Sequence, residues 1–94
     1  MAYELEFHPK ALKEWQKLDA SIKTQFKKKL AQRLKNPKVP KDQLRGYEAV
    51  YKIKLQKSGF RLAYEVQDNA MIIFVVGKRE DEKVYNLLKQ RHKI

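Results

Sequence analysis

The 94-residue chain has no cysteine, which excludes disulfides, thiolate metal sites and a cysteine nucleophile. Its two histidines, His8 and His92, stand near opposite ends, so a histidine-based zinc site is not expected, and neither metal nor cofactor is called for. No stretch approaches the ~18 apolar residues that span a bilayer. The segment Met1–Glu6 lacks the basic and apolar regions of a signal peptide. A cytoplasmic protein with no membrane partner is therefore expected. Carboxylates are also scarce: 11 Asp and Glu stand against 22 Lys and Arg, for a net charge of +11. On a chain long enough for one domain, residues 1–94, that excess points to a polyanionic partner and to salt-sensitive association.

The most informative stretch runs from Tyr51 to Arg79. Tyr51, Ile53 and Leu55 alternate with Lys52 and Lys54, which predicts a strand with one apolar and one cationic face. Gln56–Gly59 reads as a turn, and Phe60–Val66 alternates again. Pairing Leu55 with Phe60 matches Ile53 with Leu62 and Tyr51 with Tyr64, and sets Lys54 opposite Arg61. Two cations directly across a strand pair repel. Folding does not require Lys52, Lys54 and Arg61 on one face, and an anion held against the sheet would use them. A solvated strand face is the competing reading.

Around this hairpin, Tyr3–Phe7 alternates as a first strand. Pro9 suits the first turn of a helix reaching about Leu18, with Trp15 on its core stripe. Asp19 stands where a second helix needs its N-cap. Ile22, Phe26, Leu30 and Leu34 then recur at steps of four until Asn36-Pro37 ends the helix. Its polar side carries Lys23, Lys27, Lys28, Lys29, Arg33 and Lys35, either a solvated surface or a track for a nucleic-acid backbone. Residues 37–46 read as an extended connection anchored by Leu44. The unbroken apolar run Met71–Val76 predicts a central strand. Asp81 to about His92 reads as a terminal helix with few apolar anchors, able to undock, and with His92 in a frayed end. The order β-α-α-β-β-β-α gives an α+β fold: a small antiparallel sheet, an N-terminal helical hairpin and a short C-terminal helix.

Ala11-Leu12-Lys13-Glu14-Trp15, Leu44-Arg45-Gly46, Tyr51-Lys52-Ile53-Lys54-Leu55, Ser58-Gly59-Phe60-Arg61-Leu62 and Val76-Gly77-Lys78-Arg79-Glu80 with Val84-Tyr85 resemble the RelE family. These are toxins of bacterial type II toxin–antitoxin pairs, and the resemblance covers nearly the whole chain in order. It implies a fold like that of microbial ribonucleases and cleavage of messenger RNA in the A site of the 70S ribosome, which inhibits translation. It also implies a RelB-like antitoxin that wraps the toxin and displaces its C-terminal helix, with operator DNA bound through the antitoxin complex. The family's catalytic positions match Lys52, Lys54, Arg61, Arg79 and Tyr85, with Arg45 and Lys78 as RNA contacts. One departure is visible: Met71–Gly77 is two residues shorter than the family's strand, which preserves side-chain parity but would pull Arg79 and Tyr85 relative to the lysines.

Metal-free RNA cleavage needs a base for the 2′-OH, charge stabilisation on the phosphorane and a proton for the leaving oxygen. Clustered cations push a lysine toward its neutral form and a tyrosine toward its anion, so Lys54 or Tyr85 suits the base, assisted by Lys52. Arg61 and Arg79 suit the phosphate, and Arg79 could supply the proton. Alternatively Tyr85 could stack on a base. A non-catalytic RNA- or DNA-binding module, or an inactive homologue acting only in an antitoxin complex, are the competing functions.

Overall fold

A computed structural model of the chain describes residues 3–78 and 83–92. Strand β1 (Glu4–Phe7) leads into helices α1 (Pro9–Gln16) and α2 (Ala20–Lys35). A 3₁₀ turn (Pro40–Asp42) precedes strands β2 (Val50–Lys54), β3 (Phe60–Gln67) and β4 (Ala70–Lys78), and helix α3 (Lys83–Arg91) follows. The expected α+β order is present. Pro9 occupies the first turn of α1, and the His8 ring, through Nδ1, accepts a bond from the Lys10 N–H at 3.2 Å. Asp19 stands at the N-cap of α2 by position, but its side chain makes no capping bond. Ile22, Phe26 and Leu30 form the buried stripe of α2, and the Trp15 ring lies 5.6 Å from Phe7 and 6.0 Å from Phe26. Leu5 on β1 stays 38% exposed.

The sheet order is β1-β4-β3-β2. Strands β2, β3 and β4 form the expected antiparallel meander, with the long apolar β4 in an interior position. The sheet is nevertheless mixed, because β1 runs parallel to β4. A parallel pair needs a long connection, and the whole of α1, α2, β2 and β3 supplies it. The hairpin register is the expected one: Tyr51 faces Tyr64, Ile53 faces Leu62 and Lys54 faces Arg61. Leu55 and Phe60 close it through a 2.8 Å backbone bond, and Gly59 takes the left-handed backbone (φ +77°) that the turn requires.

A β-bulge interrupts β4. Ala63 pairs with Val75 but Tyr64 pairs with Ile73, so Phe74 is the extra residue. The shift separates two cores. Met71, Ile73 and Val76 join Phe26, Leu30, Ile53, Leu62 and Tyr64 beneath the helical hairpin, while Val75 joins Val50, Ala63, Val84 and Leu88 beneath α3. Alternation alone therefore does not assign faces along β4.

Beyond Ile73 the outer side of β4 has no strand beside it among the described residues, because β1 ends at Phe7. Two side chains take over. Glu14 accepts the Val76 N–H at 3.1 Å, and Arg91 donates to the Phe74 carbonyl at 2.9 Å. Glu14 and Arg91 also pair with each other through two bonds, at 2.8 and 3.0 Å. This fork satisfies the backbone of the bulge and clamps α3 to α1.

Gly77 supplies the space for that docking. A Cβ there would lie 2.8 Å from Val84 Cγ2, and Val84 is a buried, stiff β-branched side chain. Gly77→Ala is expected to cost about 1–3 kcal/mol through overpacking, read as a lower denaturant midpoint. An unchanged midpoint would show that α3 does not rest on β4 in this way.

Candidate active site

The face of β2 and β3 opposite the helical hairpin carries Val50, Lys52 and Lys54 on one strand and Arg61 and Ala63 on its neighbour. Helix α3 covers only part of this face, packing Val84 and Leu88 over Val50, Ala63 and Val75. The cations at the turn end of the hairpin stay outside that apolar lid. Lys54 is exposed, and Lys52 and Arg61 are half-buried. Lys54 and Arg61 line a hollow of about 400 Å³ at the tip of the hairpin, with Gly59 and Phe60 in its wall. On the other side of Lys54 a second hollow, of about 320 Å³, is lined by Lys29, Arg33, Lys41, Asp42 and Lys52.

Tyr85 reaches the cluster from α3. Arg61 Nη1 donates to its hydroxyl at 2.8 Å, and the guanidinium carbon stands 5.7 Å from the ring centroid. The Nε of Arg61 is buried with no hydrogen-bond partner among the described residues. The expected pull of Tyr85 away from the hairpin is not seen at Arg61, and because of the bulge at Phe74 the parity of β4 cannot be counted straight through.

Crowding changes the chemistry of Lys54. The Lys52 ammonium, then Arg61, hold Lys54 below the usual lysine range, and Asp42 acts in the opposite direction. The neutral amine, a usable base, is thus populated at lower pH than for an isolated lysine.

Other expected residues lie apart from this cluster. Lys78 pairs with Phe60 and sets its Nζ 5.6 Å from that ring, on the face opposite Arg61. Arg45 is exposed and lines a separate groove with Tyr47, Glu65, Lys89 and His92. Arg79 lies outside the described residues, as do Glu80 and Asp81 at the expected start of α3. His92, expected in a frayed end, is packed: it pairs with Glu65 and sets its ring 5.1 Å from Tyr47 and 5.3 Å from Phe74. Among the described residues no group of three His, Cys, Asp or Glu could hold a metal ion, and no helix is long and apolar enough to cross a membrane.

Sequence reasoning missed Arg33. It was placed on the outer lysine face of α2, yet it turns inward to bond Tyr64, Asp42 and the Lys52 carbonyl. Burial disfavours its charge, but the bonds to Tyr64 and Asp42 outweigh that and raise its pKa. The departure of Asp42 from an otherwise cationic neighbourhood was the available signal.

Because Lys52 is the largest influence on Lys54, Lys52→Gln is expected to raise the Lys54 titration midpoint toward the ordinary lysine range. An NMR pH titration of the Lys54 side chain reads this directly. A midpoint that stays put or falls would contradict the charge coupling.

Comparison with known proteins bears on this site. Residues 5–83 match the family model of the ParE toxin of type II toxin–antitoxin systems. The chain is 49% identical over 88 residues to the mRNA interferase toxin RelE of Escherichia coli strain K12, covering 92% of this chain and 93% of that protein. The structure of a mutant of E. coli toxin RelE in the free state superposes with a TM-score of 0.91 at 43% identity, covering 99% of this chain and all of that one. RelE in the intact E. coli RelBE toxin–antitoxin complex superposes at 0.80 with 46% identity, covering 82% and 96% of the two chains. The chain belongs to the RelE/ParE family of type II toxin–antitoxin toxins.

Proposed function

We propose that this chain is an mRNA interferase: a toxin that cuts messenger RNA in the ribosomal A site and so stops translation. The convergence of Lys52, Lys54 and Arg61 on an open sheet face, with Tyr85 bonded to Arg61, carries the reading. Membership of a family that includes a protein named mRNA interferase toxin RelE supports it.

RNA brings its own nucleophile. Neutral Lys54 takes the proton of the 2′-OH, the O2′–P bond forms as the P–O5′ bond breaks, and the leaving 5′ oxygen takes a proton. The products are a 2′,3′-cyclic phosphate and a 5′-OH. Lys52 and Arg61 stabilise the negative charge that builds on the phosphorane, Arg61 through the planar fork that suits phosphate. Arg79 is assigned delivery of the proton to the leaving oxygen. Tyr85 holds Arg61 while the site is empty and stacks on a base, or acts as an alternative base, when RNA is present. Arg45 and Lys78 contact RNA away from the scissile phosphate. The acid and base are imperfect, so the ribosome supplies what they lack by fixing the message near its attack geometry.

The partners follow from the same reading. A RelB-like antitoxin wraps this domain of residues 1–94 in the cytoplasm, and operator DNA is bound through that complex. The RelE chain in the RelBE structure, with its antitoxin present, supports the pairing. Displacement of α3 by the antitoxin would break the Tyr85–Arg61 bond and dismantle the site.

The test is translation-coupled cleavage, with ribosomes carrying a defined message and cuts mapped by primer extension. A single cut inside the A-site codon, absent from the same message alone, is expected. Arg61→Ala should slow it about 10²–10³-fold while ribosome affinity changes far less. Binding without any cut would instead support a non-catalytic RNA-binding module.

A further inference from the structure

Arg33 and Asp42 stand beside the lysines without being placed in the chemistry. Arg33 Nη1 donates to the Tyr64 hydroxyl at 2.9 Å and to the Lys52 carbonyl at 3.3 Å, and Nη2 pairs with the Asp42 carboxylate. The Tyr64 hydroxyl donates onward to the Pro37 carbonyl at 2.7 Å. One guanidinium thus ties α2, the 37–42 segment and β2 together at the residue between Tyr51 and Ile53. β2 is an edge strand. The Val50 carbonyl accepts from Leu44 on the side away from β3, and the Lys52 carbonyl, two residues on, points the same way. Arg33 therefore occupies a backbone acceptor that no strand covers. Among the described residues lining the second hollow, Asp42 is the one carboxylate, and Lys29, Lys41, Lys52, Lys54 and Arg33 supply the positive charge.

We propose that Arg33 and Asp42 form a positioning pair for the catalytic lysines: Arg33 fixes the backbone from which Lys52 and Lys54 project, and Asp42 sets the charge they experience. The catalytic part of this proposal rests on the reading of the site as a ribonuclease; the charge coupling does not. Among the described residues, the groups around Lys54 are Lys52 on its own strand, Arg61 on β3, Lys29 and Arg33 on α2, and Lys41 and Asp42 in the 3₁₀ turn; Tyr85 on α3 reaches it through Arg61. All are cationic except Asp42 and the neutral phenol. Removing the carboxylate therefore leaves an uncompensated set of cations around Lys54. Removing Arg33 does the reverse, since one cation is lost and Asp42 is released from its partner.

Opposite shifts are the signature. In the full chain, Asp42→Asn is expected to lower the Lys54 midpoint in an NMR titration and Arg33→Met to raise it. Arg33→Lys keeps the charge without the fork, so it should restore the midpoint and not the rate. In single-turnover cleavage of ribosome-bound message, the pH profile should follow the NMR midpoints. Arg33→Met and Arg33→Lys should each lower the single-turnover rate constant roughly 10–100-fold through misplaced lysines, with ribosome affinity retained. A merely structural pair would lower stability without moving Lys54 in opposite directions. Midpoints that stay put, or that move together, overturn the proposal. Should Arg33→Met fail to fold, the Asp42→Asn midpoint and the Arg33→Lys rate still decide it. If the unsubstituted protein cuts no message, the ribonuclease reading falls, and the NMR shifts still decide whether Asp42 and Arg33 govern the charge at Lys54.

Discussion

Everything at the site depends on the pairing of β2 with β3, which sets Lys54 across from Arg61 and keeps Lys52 on the same face. Like charges opposed on a sheet destabilise it, so the register must be held by something else. It is held from the other side. Tyr51, Ile53 and Leu55 match Tyr64, Leu62 and Phe60 over the core beneath the helical hairpin, and a slip of one residue would turn that apolar set to solvent and bury the cations. The hydrophobic face thus enforces a cationic face that would not form by itself. The Lys52 ammonium on the same strand, and then Arg61 across from it, hold the Lys54 amine below its ordinary range, so the charges that burden the hairpin also favour a neutral amine on its exposed face.

The opposite constraint governs α3. Its apolar contribution is small, with Val84 and Leu88 its buried anchors, and polar contacts complete the docking. The Glu14–Arg91 fork takes over the edge of β4 where β1 stops, and His92 closes against Glu65, Tyr47 and Phe74. Gly77 leaves the room that Val84 needs. Through Tyr85 the docked helix also holds Arg61. A helix fastened largely by polar groups can be exchanged for a competing segment more readily than one sunk in a large apolar core.

The hairpin register was legible in the sequence because it is local: the apolar and cationic sets alternate on both strands, and one turn joins them. The stripe of α2 and the interior position of β4 were legible for the same reason of periodicity. The bulge at Phe74 was not, since an unbroken apolar run carries no alternation to reveal an extra residue. Nor was the parallel placement of β1, which depends on where a distant strand lies. The ion pairs of Glu14 with Arg91 and of Arg33 with Asp42 join separate elements, and no spacing rule connects them. His92 was misjudged because a chain end with few apolar residues reads as frayed until its partners on β3 and β4 are known. The resemblance marked Tyr85 and Arg61 as candidate site residues; the geometry supplied the bond between them and the two residues behind the lysines.

The central claim is that the cations are opposed for chemistry at the expense of the fold. Denaturant unfolding of Lys54→Gln beside the unsubstituted protein at low salt, with cleavage of ribosome-bound message measured on the same samples, tests it most directly. The account predicts a variant that is more stable and no longer cuts, with the stability difference shrinking as salt screens the charges. A variant that is less stable, or equally stable at every salt concentration, would show that Lys54 is part of what holds the sheet together and would contradict it.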